Sequence, residues 1–151
     1  MNVIFLDFDG VITTYDSKWN IDLEKLALID KIVQQTNAKI VVTSSWKCGC
    51  KDVDCFRQKL QPKRRAKTKT IFNKFLEQIY DITEDCEHKS QEVKKYLSKH
   101  KEQIENYVIV DDEDVFADED DINFVQTDTY KGVTEKDVTL CIKLLNQDKQ
   151  I

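Results

Sequence analysis

Short apolar runs alternate along the chain with longer stretches of helical periodicity. Val3 to Leu6 is β-branched and has the length of a buried strand; it stops at Asp7-Phe8-Asp9-Gly10. After a polar connection, Asn20 or Asp22 can cap a helix running to about Thr36, with Leu23, Leu26, Ala27, Ile29 and Val33 on its apolar face and Asn37 as its stop. Lys39 to Thr43 reads as a second strand, ending in the hydroxyls Thr43, Ser44 and Ser45. Within the irregular stretch 47–69, part of 53–60 reads as a short helix. A further helix runs from about Thr68 to Glu77, with Ile71, Phe72, Phe75 and Leu76 inward, and Ile79 to Thr83 reads as an edge strand. Ser90 can cap a helix over 91 to about 104, with Val93, Tyr96, Leu97 and Ile104 inward. Tyr107 to Val110 is another strand, ending in Asp111-Asp112, and Ile122 to Val125 a last short one. Thr134, with Asp137 three residues on, opens a final helix, Glu135 to about Asn146, whose core face is Val138, Cys141, Ile142 and Leu145.

The strand–helix–strand order requires parallel neighbours, because the connections are too long for hairpins. The expected fold is therefore α/β and Rossmann-like, a mostly parallel sheet with helices on both faces. Residues 1–151 show no internal repeat and no linker, and are read as a single domain. In such a sheet the strand C-termini share one edge, where the crevice lies. Asp7 and Asp9, the Thr43 hydroxyl, and Asp111 with Asp112 all fall there.

Composition narrows this only a little. With 40% hydrophobic and 34% charged residues the chain is globular, and its formal net charge of -5 does not suggest a general nucleic-acid binder. Five cysteines with no paired spacing, no signal peptide and no membrane-length apolar stretch make a cytoplasmic protein with reduced thiols the simplest expectation.

Two carboxylates at one strand end are costly unless a cation or a shared proton compensates them. For a phosphate ester, Mg²⁺ would screen both the carboxylates and the substrate oxygens. Asp7 and Asp111 are the natural ligands, with Asp112 binding directly or through water. Asp7 can attack phosphorus, and Asp9 can protonate the leaving oxygen and then activate water. The Thr43 hydroxyl and nearby backbone N–H groups can hold phosphoryl oxygens. Gly10, Ser44 and Ser45 are substrate-binding candidates on that ground, Ser44 also being an alternative register for Thr43. Lys89, before a helix N-terminus, can neutralise the remaining charge; Lys94 and Lys95 compete for that role.

The order Asp7-Phe8-Asp9-Gly10-Val11, Ile40-Val41-Val42-Thr43, Lys89, Val108-Ile109-Val110-Asp111-Asp112 resembles the haloacid dehalogenase (HAD) superfamily. Thr43-Ser44-Ser45-Trp46-Lys47, the Tyr107–Asp112 strand, and Thr127-Asp128 followed by Gly132-Val133-Thr134 resemble the HAD domains of Swiss-army-knife RNA repair proteins. The resemblance implies a phosphatase with Asp7 as nucleophile, Asp9 as general acid/base, Thr43 on the phosphate and Lys89 as charge stabiliser. It places Mg²⁺ on Asp7, Asp111, Asp112 and the Asp9 backbone carbonyl. An aspartate two residues after the nucleophile fits the phosphatase branch and not the dehalogenase branch. Response-regulator receivers use similar residues, but there the lysine comes last, whereas here the second acidic pair does. The segments that could hold a cap, after Asp9 and over 44–88, are short, so a minimal cap or none is expected. An open site of that kind suits a phosphorylated substrate, including a macromolecular one.

Three local features have alternative readings. The basic run Arg57, Lys59, Lys63, Arg64, Arg65, Lys67 and Lys69 could recruit a nucleotide or nucleic-acid end, but it reads first as a solvated face. Cys48, Cys50 and Cys55, with Cys86 or His88, do not have the usual zinc spacing. Trp46 reads as a packing residue, and Asp114 as a helper for Lys89 or a metal-bound water. A HAD-fold binding or regulatory domain without turnover is the non-enzymatic alternative; Asp7, Asp9, Thr43, Asp111 and Asp112 argue against it.

Overall fold

The computed structural model describes residues 1–61, 69–116 and 123–147. Five strands, β1 (Asn2–Leu6), β2 (Lys39–Val42), β3 (Ile79–Ile82), β4 (Asn106–Asp111) and β5 (Phe124–Gln126), form one sheet in the order β3-β2-β1-β4-β5. Every pairing is parallel. The helices are α1 (Leu23–Thr36), α2 (Val53–Leu60), α3 (Lys69–Gln78), α4 (Lys89–Lys99) and α5 (Glu135–Leu145). β3 lies at one edge of the sheet, as its mixed sequence predicts. The expected last strand began at Ile122, which lies outside the described residues.

Alternation along β1 divides the core. Ile4 and Leu6 join Ile40, Val42, Val108 and Val110 against buried residues of α1, α2, α3 and α5. Val3 and Phe5 join Val41, Tyr107 and Ile109 against Val93 and Tyr96 of α4. Both faces are covered, one of them by α4 alone among the described helices. The period of two then carries Asp7 and Thr43, just past the ends of β1 and β2, and Asp111, the last residue of β4, toward the α4 face. The ladder fixes their level: the Asp7 N–H donates to the Val110 carbonyl (3.0 Å) and the Thr43 N–H to the Leu6 carbonyl (3.0 Å).

Asp22, not Asn20, caps α1, accepting from the Glu24 N–H, and Asn37 ends it in the left-handed conformation. Thr134 and Asp137 form the expected capping box of α5. The structure corrects α4: its cap is His88, not Ser90, and the Gln91 side chain accepts from the His88 N–H (3.2 Å). Lys89 is thus the first helical residue, and the helix stops at Lys99. Ile104 is still buried, but from the connection to β4. Two residues assigned to apolar faces, Ala27 and Ile71, are exposed; Ile32 is a buried residue of α1 in their place. Ala27 and Ile71 both line an open cavity between α1 and α3, beside Leu26 and Phe75.

Candidate active site

β1 leaves the sheet through a tight turn. The Phe8 carbonyl accepts from the N–H groups of Val11, Ile12 and Thr13. Gly10 is in the left-handed region (φ 77°), and a Cβ there would lie 2.3 Å from Asp112 Oδ2. The glycine therefore serves both the turn and the close approach of the second acidic pair. Thr127 Oγ1 ties the turn to the loop after β5 by donating to the Gly10 carbonyl (2.7 Å).

Carboxylate oxygens of Asp7, Asp111 and Asp112 come within 4.8 Å of one another. Asp7 and Asp111 are buried. Lys89 Nζ reaches both, at 3.3 Å from Asp7 Oδ1 and 2.8 Å from Asp111 Oδ2. Lys95 instead pairs with Glu84 (2.6 Å), so the structure brings Lys89 to the cluster, from the first turn of α4. Asp112 Oδ2 accepts from Thr129 Oγ1 (2.9 Å). Asp114 is exposed.

One lysine does not balance three carboxylates. Burial, followed by the Asp111 charge, raises the Asp7 carboxyl to about 8 despite Lys89. Burial and Asp111 likewise raise Asp112, against the hydrogen bond from Thr129. Burial pulls the Lys89 ammonium down, but Asp7 and Asp111 outweigh it and hold it above its ordinary value. Crowded, all-oxygen and short of positive charge, the cluster fits a hard divalent cation.

Thr43 and Ser44 are separated by their partners. Thr43 Oγ1 is buried with no hydrogen-bond partner, whereas Ser44 Oγ caps a single turn of 3₁₀ helix (Ser45–Lys47) by accepting from the Trp46 N–H (3.2 Å). A buried hydroxyl left unpaired costs about 1–3 kcal/mol, and an oxyanion beside it would relieve that cost. Ser45 is exposed at the start of the same turn.

Asp9 is exposed, and two side chains orient it. Thr13 Oγ1 (2.9 Å) and Trp46 Nε1 (3.0 Å) both donate to its Oδ1. Trp46 does pack, edge-on to Phe8 with centroids 5.4 Å apart, but its indole also positions this carboxylate. Sequence reasoning missed Thr13, Thr129 and this second role of Trp46. For Trp46 the available signal was an indole N–H that needs a partner, within the hydroxyl segment that flanks the site.

Residues 3–138 match the family described as the HAD domain in Swiss Army Knife RNA repair proteins. The chain belongs to this family. No curated protein and no solved structure matches it. The five-stranded parallel sheet is thus a HAD core, and among the described residues no cap unit covers the site. Membership points to phosphatase-type chemistry, for which Mg²⁺ is the superfamily's usual ion, and Asp7, Asp111 and Asp112 can hold a metal. No described helix of this HAD domain is long and apolar enough to cross a membrane.

Most of the basic run, including Lys63, Arg64, Arg65 and Lys67, lies outside the described residues, as does the acidic stretch 117–122. Arg57 and Lys59, the members of the run whose side chains are described, have partners within the protein. Arg57 pairs with Asp54 (2.8 Å) and donates to the Ile79 carbonyl; Lys59 donates to the Trp46 carbonyl (2.5 Å). The five cysteines are free.

Proposed function

We propose that this HAD domain, read as one unit over residues 1–151, is a Mg²⁺-dependent phosphoric monoester hydrolase working through an aspartyl-phosphate on Asp7. The observation that carries the reading is the meeting of Asp7, Asp111, Asp112 and Lys89 beside the unpaired Thr43 hydroxyl. Asp7, Asp111 and Asp112 would hold the ion, with the Asp9 backbone carbonyl a further ligand. When bound, Mg²⁺ supplies positive charge that keeps Asp7 ionised and screens the phosphoryl oxygens.

Asp7 then attacks phosphorus, and the bond to the ester oxygen breaks. Asp9, held through one oxygen by Thr13 and Trp46, gives its proton to the departing oxygen. It then takes a proton from the water that attacks the phosphoaspartate, releasing inorganic phosphate and restoring Asp7. Thr43 Oγ1 donates to a phosphoryl oxygen, as do backbone N–H groups near Gly10, Ser44 and Ser45. Lys89 balances charge on the transferring group. The free thiols fit a reducing, cytoplasmic setting.

The test is turnover of p-nitrophenyl phosphate with Mg²⁺, with and without EDTA. We expect release that EDTA abolishes and that Asp7→Asn eliminates. EDTA-resistant release, or full activity in Asp7→Asn, would overturn the mechanism. No release from folded, Mg²⁺-loaded protein would favour a binding domain without turnover. The family description favours one substrate class, a phosphorylated nucleotide or nucleic-acid end. Turnover of phosphorylated oligonucleotides that falls steeply with salt would support recruitment by the 57–69 run.

A further inference from the structure

Large exposed apolar side chains are unevenly distributed over the molecule. Of six among the described residues, Tyr15 (65% exposed), Trp19 (43%) and Tyr130 (67%) lie in just two loops, those following β1 and β5. Both loops leave the sheet at the edge where Asp7 and Asp111 emerge. They form one surface: the Val133 N–H donates to the Val11 carbonyl (2.9 Å), and Gly132 packs so closely that a Cβ would lie 2.7 Å from Thr14 Cγ2. Tyr15 and Tyr130 meet there edge to face, with centroids 6.3 Å apart and planes at 66°, leaving an open aromatic corner.

Core packing does not account for this corner. The first loop is closed on itself through Ser17, whose hydroxyl accepts from the Thr14 N–H (2.9 Å) and donates to the Asn20 carbonyl (2.7 Å). It also holds Lys18 and Trp19 at positive φ (53° and 60°), a conformation that non-glycine residues adopt only when their surroundings impose it. The rigid turn presents Tyr15 to solvent. Each tyrosine is also tied to the acidic site by a near neighbour. Thr129, beside Tyr130, donates to Asp112, and Thr13, two residues before Tyr15, donates to Asp9.

We infer that Tyr15 and Tyr130 form a stacking site for the base of a nucleotide whose phosphate monoester sits at Asp7. The inference rests on the phosphatase reading and specifies its substrate. The offset supports a base over the ring of a phosphotyrosine. A phosphotyrosine ring is bonded directly to the ester oxygen and would lie at Asp9 itself. A base is separated from its phosphate by a sugar, and the tyrosines lie one residue beyond Thr129 and two beyond Thr13, which touch Asp112 and Asp9. Stacking needs only a π-face and tolerates any base. Exposed Lys18 and Lys131, in the same loops, can meet neighbouring phosphates. The shared chemistry is a nucleoside monophosphate, either free or as the end of an oligonucleotide.

The test compares kcat/KM for a 3′-nucleoside monophosphate, a 3′-phosphorylated oligonucleotide, base-free glycerol phosphate and a phosphotyrosine peptide, in wild type, Tyr15→Ala, Tyr130→Ala, the double variant and Tyr80→Ala. Tyr80 is an exposed tyrosine on β3. We expect the double variant to lose about tenfold or more on base-bearing substrates relative to glycerol phosphate. Tyr15→Phe and Tyr130→Phe should restore most of that loss, and Tyr80→Ala should change neither substrate. Loss on the oligonucleotide but not on the mononucleotide assigns the site to a nucleic-acid end; loss on both assigns it to the nucleotide itself. Equal change on all substrates, or loss confined to the phosphotyrosine peptide, overturns the inference. If the protein turns nothing over, the same comparison is read by fluorescence anisotropy of a 3′-phosphorylated oligonucleotide against one with an abasic end. Weaker binding of the based oligonucleotide alone in the double variant upholds the stacking site although the phosphatase reading fails. Unchanged binding overturns it.

Discussion

Gly10 and Thr43 link stability and function in different ways. A Cβ at Gly10 would meet the Cβ, Cγ and Oδ2 of Asp112, so the whole aspartate side chain would have to swing away and release Thr129. The left-handed φ adds about 1–2 kcal/mol for any L-residue. Gly10→Ala should therefore lose at least about that much in urea unfolding and bind Mg²⁺ several-fold more weakly by calorimetry. A folded variant with unchanged Mg²⁺ affinity would show that Asp112 takes no part in the metal site. Thr43→Val should separate the two. It removes an unpaired buried hydroxyl, so thermal stability should hold or rise, while kcat/KM falls by about 10²-fold if that hydroxyl serves the transition state. At this scale the carboxylates were legible in the sequence, because two charged residues ending a buried apolar run need a chemical reason. Thr13 and Thr129 were not. They reach Asp9 and Asp112 only through loop geometry, which no periodicity encodes.

The element that most needs a fixed place is α4, because its first residue is Lys89. Buried Lys47, in the segment after Thr43, holds it there through Glu92 Oε1 (2.8 Å), one turn beyond Lys89, and also reaches Asp85 (2.5 Å). Glu92 accepts as well from Thr83 Oγ1 (2.8 Å), at the end of β3. Burial lowers the Lys47 ammonium, but Asp85 and Glu92 outweigh it and raise it overall. Lys47→Met would leave Glu92 buried without its cation, at a cost of about 3–5 kcal/mol, a large share of a small domain's stability. In a double-mutant cycle by urea unfolding, Lys47→Met with Glu92→Leu should recover most of that loss. If the two losses simply add, the pair does not hold the helix. The strands were legible because parallel, doubly covered strands must be continuous apolar runs. The start of α4 was not, since Ser90 carries the better capping side chain, yet the helix begins where Lys89 can reach the two carboxylates. Tertiary charge placement overrode the local signal.

For the whole molecule, the alternation of strands and helices was enough to predict the fold, and the carboxylates and hydroxyl at strand ends to predict the edge that carries the candidate site, because parallel topology sends every strand end to the same side. The proposed substrate class was not legible in the same way, since it rests on Tyr15 and Tyr130, two loop residues that come together only in three dimensions. The acidic edge also links stability to pH. Without a cation, Asp7 titrates at about 8 in the folded protein and near 4 when unfolded. The folded state therefore binds this proton more tightly. Its contribution to stability is fully present below pH 4 and is lost as pH rises through about 8. In EDTA, the melting temperature of wild type should fall from pH 5 to pH 8.5 more steeply than that of Asp7→Asn, which has no proton to lose, and the variant should be the more stable of the two at pH 8.5. On the proposed reading Mg²⁺ would bind the ionised cluster, so its stabilising shift in wild type should grow over the same interval and be much smaller in the variant. Parallel pH profiles for the two proteins, or a Mg²⁺ shift independent of pH, would show that Asp7 is already ionised without the metal, and that Lys89 alone balances the cluster.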